Sequence, residues 1–311
     1  MEQILRLKPY FSHTIWGGNR LRTEFGYAEP GDDIGECWGI SAHPSGESTV
    51  TGGPYDGCRL SELWRDHREL FGNLPGDRFP LLVKLIDAKA DLSIQVHPDD
   101  AYAAKYENGS LGKTECWYVL DCPEGAALVA GHNARTREEL RGMIREGRWT
   151  QLIREVPVHK GDFIQIDPGT VHAIKGGILL LETQQSSDIT YRLYDYDRLQ
   201  NGKPRELHLD KSIDVISVPA KPVEESVVSF ADAPENELIR LQECAYFKVS
   251  LARVNGTLTA PLNNPFTNFS VVSGTGTVNG LPVRKGDHLL LTHALTHLTL
   301  EGRFEAILST P

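Results

Sequence analysis

Cysteine is scarce in this sequence. Five residues, Cys37, Cys58, Cys116, Cys122 and Cys244, are scattered through 311 positions with no CxxC pair. An odd, scattered set excludes a disulfide framework and fits reduced thiols in a cytoplasmic protein. An excess of positive charge is also missing. The formal net charge is -10, which argues against a nucleic-acid partner, since that needs a basic face for the phosphates. It leaves a small anionic substrate open, because a few local cations outweigh a distant negative surface. No apolar run reaches the ~18 residues of a membrane-spanning helix. The opening stretch MEQILRLKPYFSHTIWGG lacks the apolar core of a signal peptide. What is left is a globular composition, 40% hydrophobic and 24% charged, long enough for one large domain or two moderate ones.

Strand signals dominate. FPLLVKLIDA (79–88), DLSIQVHP (91–98), ECWYVLD (115–121), DFIQIDP (162–168) and ILLLETQQ (178–185) are short and rich in apolar or β-branched residues. Turn residues bound most of them, including Pro98-Asp99-Asp100, Pro168-Gly169 and Gly176-Gly177. Such a pattern predicts a mainly β fold, a sandwich or barrel. Helical periodicity interrupts it at 60–72, where Gly72 can end the helix, and at 136–156, with a break near Gly147. The acids Glu138 and Glu139 sit early in that second helix, where its dipole favours them. A third helix is expected within 205–217. The Pro-, Glu-, Ser- and Ala-rich stretch 218–236 reads as a linker. It would divide a first domain, 1–217, with a helical insertion at about 133–156, from a second β domain, 237–311.

The second region repeats the first. Lys160-Gly161-Asp162 with His172 matches Lys285-Gly286-Asp287 with His297 at the same spacing, and ECWYVLD lies over TNFSVVS (267–273). Thr267 then stands where Glu115 does, so the C-terminal part is a degenerate copy without the carboxylate.

Four residues of the first region can meet at one ion. Side chains two apart on a strand share a face, so Gln95 and His97 point together while Ile94 and Val96 face the opposite core. Glu115 opens the next strong strand, and His172 follows the Pro168-Gly169 turn. Two imidazoles, a carboxylate and an amide oxygen suit zinc; manganese, iron(II), cobalt and nickel also accept such a set. The amide is the weakest donor. Taken singly, each residue has a plainer reading, a hydrogen-bonded strand histidine or a surface carboxylate.

LSIQVHPDD (92–100), GKTECWYVL (112–120), PGTVHAI (168–174) and ITYRLYDYDR (189–198) resemble the signature segments of type I mannose-6-phosphate isomerases, zinc enzymes of the cupin superfamily. IWGGNRL (15–21) and IGECWGISAHPSGES (34–48) are similar to that family's N-terminal strands. The chain's length and linker look like the short bacterial branch. Asp167 departs from the general cupin histidine motif, which prefers proline there. The resemblance implies two cupin-like jelly-roll barrels and one zinc ion per chain on Gln95, His97, Glu115 and His172. It places the catalytic arginine at Arg192, an active-site acid at Glu182 and the family's lysine, two residues before the ligand glutamate, at Lys113. The reaction implied is the interconversion of mannose 6-phosphate and fructose 6-phosphate through a cis-enediol.

The remaining roles follow from that chemistry. Glu182 is a candidate base, with orientation of a ligand histidine as the plainer alternative. Lys113, Arg192 and Lys84 can meet a phosphate, although Lys84 could simply snorkel from a strand end. Ser93 shares the face of Gln95 and can donate a hydroxyl. Trp16 is a core or lid aromatic that could touch substrate. The expected partner is therefore a small sugar phosphate, with neither nucleic acid nor membrane, and the oligomeric state is left open. Two rivals use the same residues: an iron(II) cupin dioxygenase and a non-catalytic sugar binder.

Overall fold

The computed structural model describes residues 3–222, 225 and 227–311. Residues 223, 224 and 226 of the expected linker lie outside the described residues. The chain is mainly β, in three principal sheets, and no sheet closes on itself along its hydrogen-bonding path. A seven-stranded sheet runs in the order Val227–Ser229, Asp162–Ile166, Glu115–Asp121, Leu179–Gln185, Leu81–Asp87, Ile34–Ile40, Tyr10–Gly18. A five-stranded sheet accompanies it: Ile153–Pro157, Ala127–His132, His172–Ala173, Ile94–Val96, Tyr191–Tyr194. The strand Leu81–Asp87 is buried at every position, which is why its apolar residues do not alternate with polar ones and only Lys84 interrupts them before Asp87.

Alternation decides the shorter strand. Ile94 and Val96 pack outward against Leu140, Met143 and Ile144 in one apolar cluster. Gln95 is left facing the other sheet. The covering helix is Arg137–Arg145, capped by Thr136, whose side chain accepts from Glu139 N; Glu138 and Glu139 occupy its first turn. Gly147, at φ +64°, ends it. The expected continuation to 156 becomes the short helix Trp149–Leu152 and then the strand Ile153–Pro157. The helix expected at 60–72 is Leu60–Asp66 followed by a 3-10 turn, Arg68–Phe71, with Gly72 left-handed at its end. The third is Leu209–Val215.

The C-terminal region forms an eight-stranded sheet, with the path Leu238–Glu243, Lys248–Pro261, His297–Thr310, Thr267–Val278, His288–Leu291, and Leu281–Arg284 off the side. Two strands from the start of the chain, Ile4–Lys8 and Thr49–Thr51, complete it. The two β regions are thus joined by exchanged strands as well as by the 218–236 segment, which itself adds Val227–Ser229 to the seven-stranded sheet. They also share one core, where Trp64, Phe71 and Phe79 meet Phe266 at centroid distances of 5.1 to 6.4 Å. His288 of the C-terminal sheet packs against the strand Ile34–Ile40 so closely that a Cβ on Gly39 would lie 2.3 Å from its ring. Only glycine fits there.

Strand registers bear out the internal copy. Glu115 stands opposite Ile166 in the first unit, and Thr267 stands opposite Leu291 in the second. His172 pairs with Gln95, and His297 pairs with Pro261. His297 itself is exposed. Among the described residues, His97, Glu115 and His172 are the one group of three such donors able to hold a metal.

Candidate active site

The site is built from two rows of side chains that face each other across the first unit. In the seven-stranded sheet, Trp38, Lys84, Glu182 and Trp117 are successive cross-strand neighbours. In the five-stranded sheet, His172, Gln95 and Arg192 are. Glu115 lies two residues before Trp117 on the same face, and His97 two after Gln95. Between the rows is a cavity of about 210 Å³ whose lining includes Trp16, Lys84, Ser93, Gln95, Lys113, Glu182 and Arg192. Every substrate-contact and catalytic residue expected from sequence therefore borders one space. His97, Glu115 and His172 sit buried beside it.

The three buried donors fit a cation. His97 Nδ1 lies 2.8 Å from the Ile189 carbonyl, and His172 Nδ1 lies 2.9 Å from the Thr170 carbonyl. A carbonyl accepts only, so both Nδ1 atoms carry the proton and both Nε2 atoms present lone pairs. Those two lone pairs are 3.1 Å apart. Glu115 adds its carboxylate, 3.5 Å from His97 Nε2 and 3.4 Å from His172 Nε2, with the Lys113 ammonium 2.7 Å from its Oε2. Three electron-rich groups converge here, with the Lys113 ammonium as a competing donor 3.3 Å from His97 Nε2, and a metal ion satisfies such an arrangement. Gln95 Nε2 is 3.3 Å from His172 Nε2. A half-turn of that amide exchanges its nitrogen for an oxygen donor.

Protonation suits the same end. Burial, reinforced by Lys113, pushes the His97 pKa down to about 3, and burial lowers that of His172. Burial opposes the charge of Glu115, but Lys113 and His97 outweigh it and hold the carboxylate well below its usual range. Neutral imidazoles and an ionised carboxylate are the ligand forms. The nearest fixed cation is Lys113, 2.7 Å from Glu115 Oε2. Burial works against its charge as well, and Glu115 and Glu182 more than restore it.

Glu182 is set apart. Its Oε2 accepts from Trp117 Nε1 at 2.8 Å, while Lys84 and Lys113 lie 3.6 and 3.9 Å from Oε1. Burial, then repulsion from Glu115, raises its pKa despite both lysines. Neither ligand histidine is held by it, so the orienting role weighed for Glu182 falls to backbone carbonyls instead. Lys84 is buried between Glu182 and Glu36, 3.4 Å from the latter, and over the Trp38 ring; it does not snorkel to solvent. Arg192 is anchored by Nε to Ser93 Oγ at 3.3 Å and by Nη1 to the Glu206 carbonyl at 2.8 Å.

Among the lining residues that escaped the sequence reading are three polar or aromatic ones, Glu36, Trp38 and Arg205. Glu36 and Trp38 belong to a strand whose alternation aims both at the cavity; the period of two in IGECWGI carried that signal. Arg205 also lines it, pinned to Asp195 by bonds of 2.6 and 2.7 Å. No local pattern marks it.

Comparison with known proteins agrees with this geometry. The family model for the type I phosphomannose isomerase catalytic domain matches residues 4–119, and that for the mannose-6-phosphate isomerase cupin domain matches 237–311. The mannose-6-phosphate isomerase ManA of Bacillus subtilis (strain 168) is 52% identical over 310 residues, 98% of each chain. The chain belongs to the type I phosphomannose isomerase family. Among solved members, the mannose 6-phosphate isomerase crystal structure from Bacillus subtilis superposes with a TM-score of 0.92 at 44% identity, over 100% of both chains. A mannose 6-phosphate isomerase bound with zinc and yttrium shares the phosphomannose isomerase fold at a TM-score of 0.77 and 15% identity, over 99% of both chains. No helix among the described residues is long and apolar enough to cross a membrane.

Proposed function

We infer that the chain is a metal-dependent aldose–ketose isomerase that interconverts mannose 6-phosphate and fructose 6-phosphate through a cis-enediol. One observation carries the reading: two imidazole lone pairs and a carboxylate converge, buried, beside a cavity that also holds Glu182 and Arg192. The 52% identity to a mannose-6-phosphate isomerase supports the choice of substrate.

His97, Glu115 and His172 would hold the ion, with Gln95 as fourth donor. The donor set favours zinc, one per chain. When bound, a divalent ion supplies Lewis-acid polarisation of the sugar's oxygens. Protein groups do the rest. Glu182 takes the proton from C2 of the open-chain aldose and returns it to C1. A second proton moves from O2 to O1, so nothing external is consumed. A buried carboxyl with a raised pKa is suited to both taking and giving that proton. Arg192, which lines the cavity, stabilises the negative charge that develops on the enediolate. Lys84, Lys113 and Arg205 add positive potential for a phosphate dianion, and Ser93 fixes Arg192. Trp16 and Trp38 wall off water. The five free cysteines, two of them buried, support a cytoplasmic address, and the acidic balance supports a small-molecule partner rather than nucleic acid.

The test is an assay of fructose 6-phosphate formed from mannose 6-phosphate, before and after chelation. We expect turnover to vanish with the metal and to return with added zinc. A zinc-loaded sample without turnover, or one that consumes oxygen and oxidises the sugar, overturns the assignment. Arg192→Ala should retain its metal and lose about 10²–10³ in kcat, the usual loss for one charge-stabilising donor. Metal analysis beside steady-state kinetics checks this; unchanged kcat rejects the role.

A further inference from the structure

The catalytic row of the first unit has a positional twin in the second. Trp38, Lys84, Glu182, Trp117 and Ile164 stand opposite one another across five strands. Arg240, Ser250, Leu308, Phe269 and Leu289 do the same across the five equivalent strands, in the same order. The metal donors have counterparts too: Pro261 for Gln95, Asn263 for His97 and Thr267 for Glu115. Glu182, Gln95, His97 and Glu115 have all been exchanged for neutral residues, and His172 keeps a counterpart only in the exposed His297.

The space has nevertheless been kept. A cavity of about 250 Å³ lies at this position, against about 210 Å³ in the catalytic unit. Arg240, Ser250 and Leu308 of the row line it, as do Pro261, Asn263 and Thr267. It is therefore the same site, emptied of its chemistry and left open. Its buried wall mixes Leu262 and Leu308 with the hydroxyl residues Thr267, Ser309 and Thr310, all nearly inaccessible. Asn264, beside them, donates to Thr267 Oγ1 at 3.1 Å. At the rim, Arg240 and Lys248 share one acid, Glu243, at 2.5 and 2.8 Å, which leaves a net positive charge. Hydroxyls and amides within, and a cationic rim including a guanidinium, match a polyhydroxylated small anion.

We propose that this second cavity binds a hexose phosphate without transforming it. The proposal goes beyond the catalytic reading and does not depend on it. The probe is 6-phosphogluconate, a hexose phosphate with no carbonyl to isomerise, titrated calorimetrically into the metal-loaded full chain. Ser250→Trp fills the cavity, and Arg240→Glu reverses charge at an exposed rim position where folding is not at stake. We expect Ser250→Trp to lose one binding event per chain and Arg240→Glu to weaken that event at least about tenfold, the scale of one charge-assisted contact. Catalytic kcat should be the same in all three proteins, which also reports that the variants fold. Identical stoichiometry and affinity in all three overturn the proposal.

Discussion

His97→Ala should strip the protein of metal and turnover together. The imidazole it removes is one of two buried Nε2 donors 3.1 Å apart, and no other side chain can take its place. Lys113 is already 2.7 Å from Glu115 and competes with the metal for that carboxylate. With His97 gone, the balance at Glu115 shifts toward the ammonium. Losing only an outer partner of a ligand costs about 10–100-fold in affinity or activity, so loss of the ligand itself should exceed that range. Metal content after dialysis, measured beside kcat, decides the matter. Full metal occupancy with undiminished turnover would show that His97 is not a ligand.

Glu182→Gln separates proton transfer from metal binding. Glutamine keeps the shape and can still accept from Trp117 Nε1, and Glu182 touches neither ligand histidine. The variant should therefore keep its metal and lose about 10²–10⁴ in kcat, the contribution of a positioned general base. The pH profile gives a second readout. A base must be ionised to act, so wild-type kcat/KM rises with pH through the Glu182 pKa. Burial and Glu115 place that value above the ordinary glutamate range. The glutamine variant should lose this acid limb. If kcat and the limb both survive, another group moves the proton.

Much of the site was legible because it obeys short-range rules. The period of two put Gln95 and His97 on one face, and the turn at Pro168-Gly169 led to His172. The copied KGD and histidine predicted a degenerate second unit, and its strand registers agree. What stayed hidden depends on pairing between distant strands. Glu182 faces Lys84 on one side and Trp117 on the other, and nothing within either segment announces those neighbours. Arg205 reaches the cavity only through its grip on Asp195. Local signals were also misread. Pro98-Asp99-Asp100 looked like a turn, yet Asp99 caps the helix Asp100–Tyr106 by accepting from Tyr102 N. Residues Arg20–Phe25 form a helix that takes in the last two residues of the 15–21 segment where the resemblance suggested strand. In both cases a capping or turn residue served a helix too short to show a period.

The strands exchanged at the start of the chain set a timetable for synthesis. Ile4–Lys8 gains one neighbour early, Thr49–Thr51, but Leu5 pairs on its other side with Leu290, so that side must wait for the C-terminal sheet. At about 5–20 residues per second on the ribosome, that delay is roughly a quarter of a minute to a minute. Through that interval one side of Ile4–Lys8 is an unpaired edge, open to the wrong partner. The contacts that close the molecule are also among its longest in sequence, which slows folding. A nascent chain stalled before residue 288 should thus be held by chaperones, and release of the last strands should be the event that frees it.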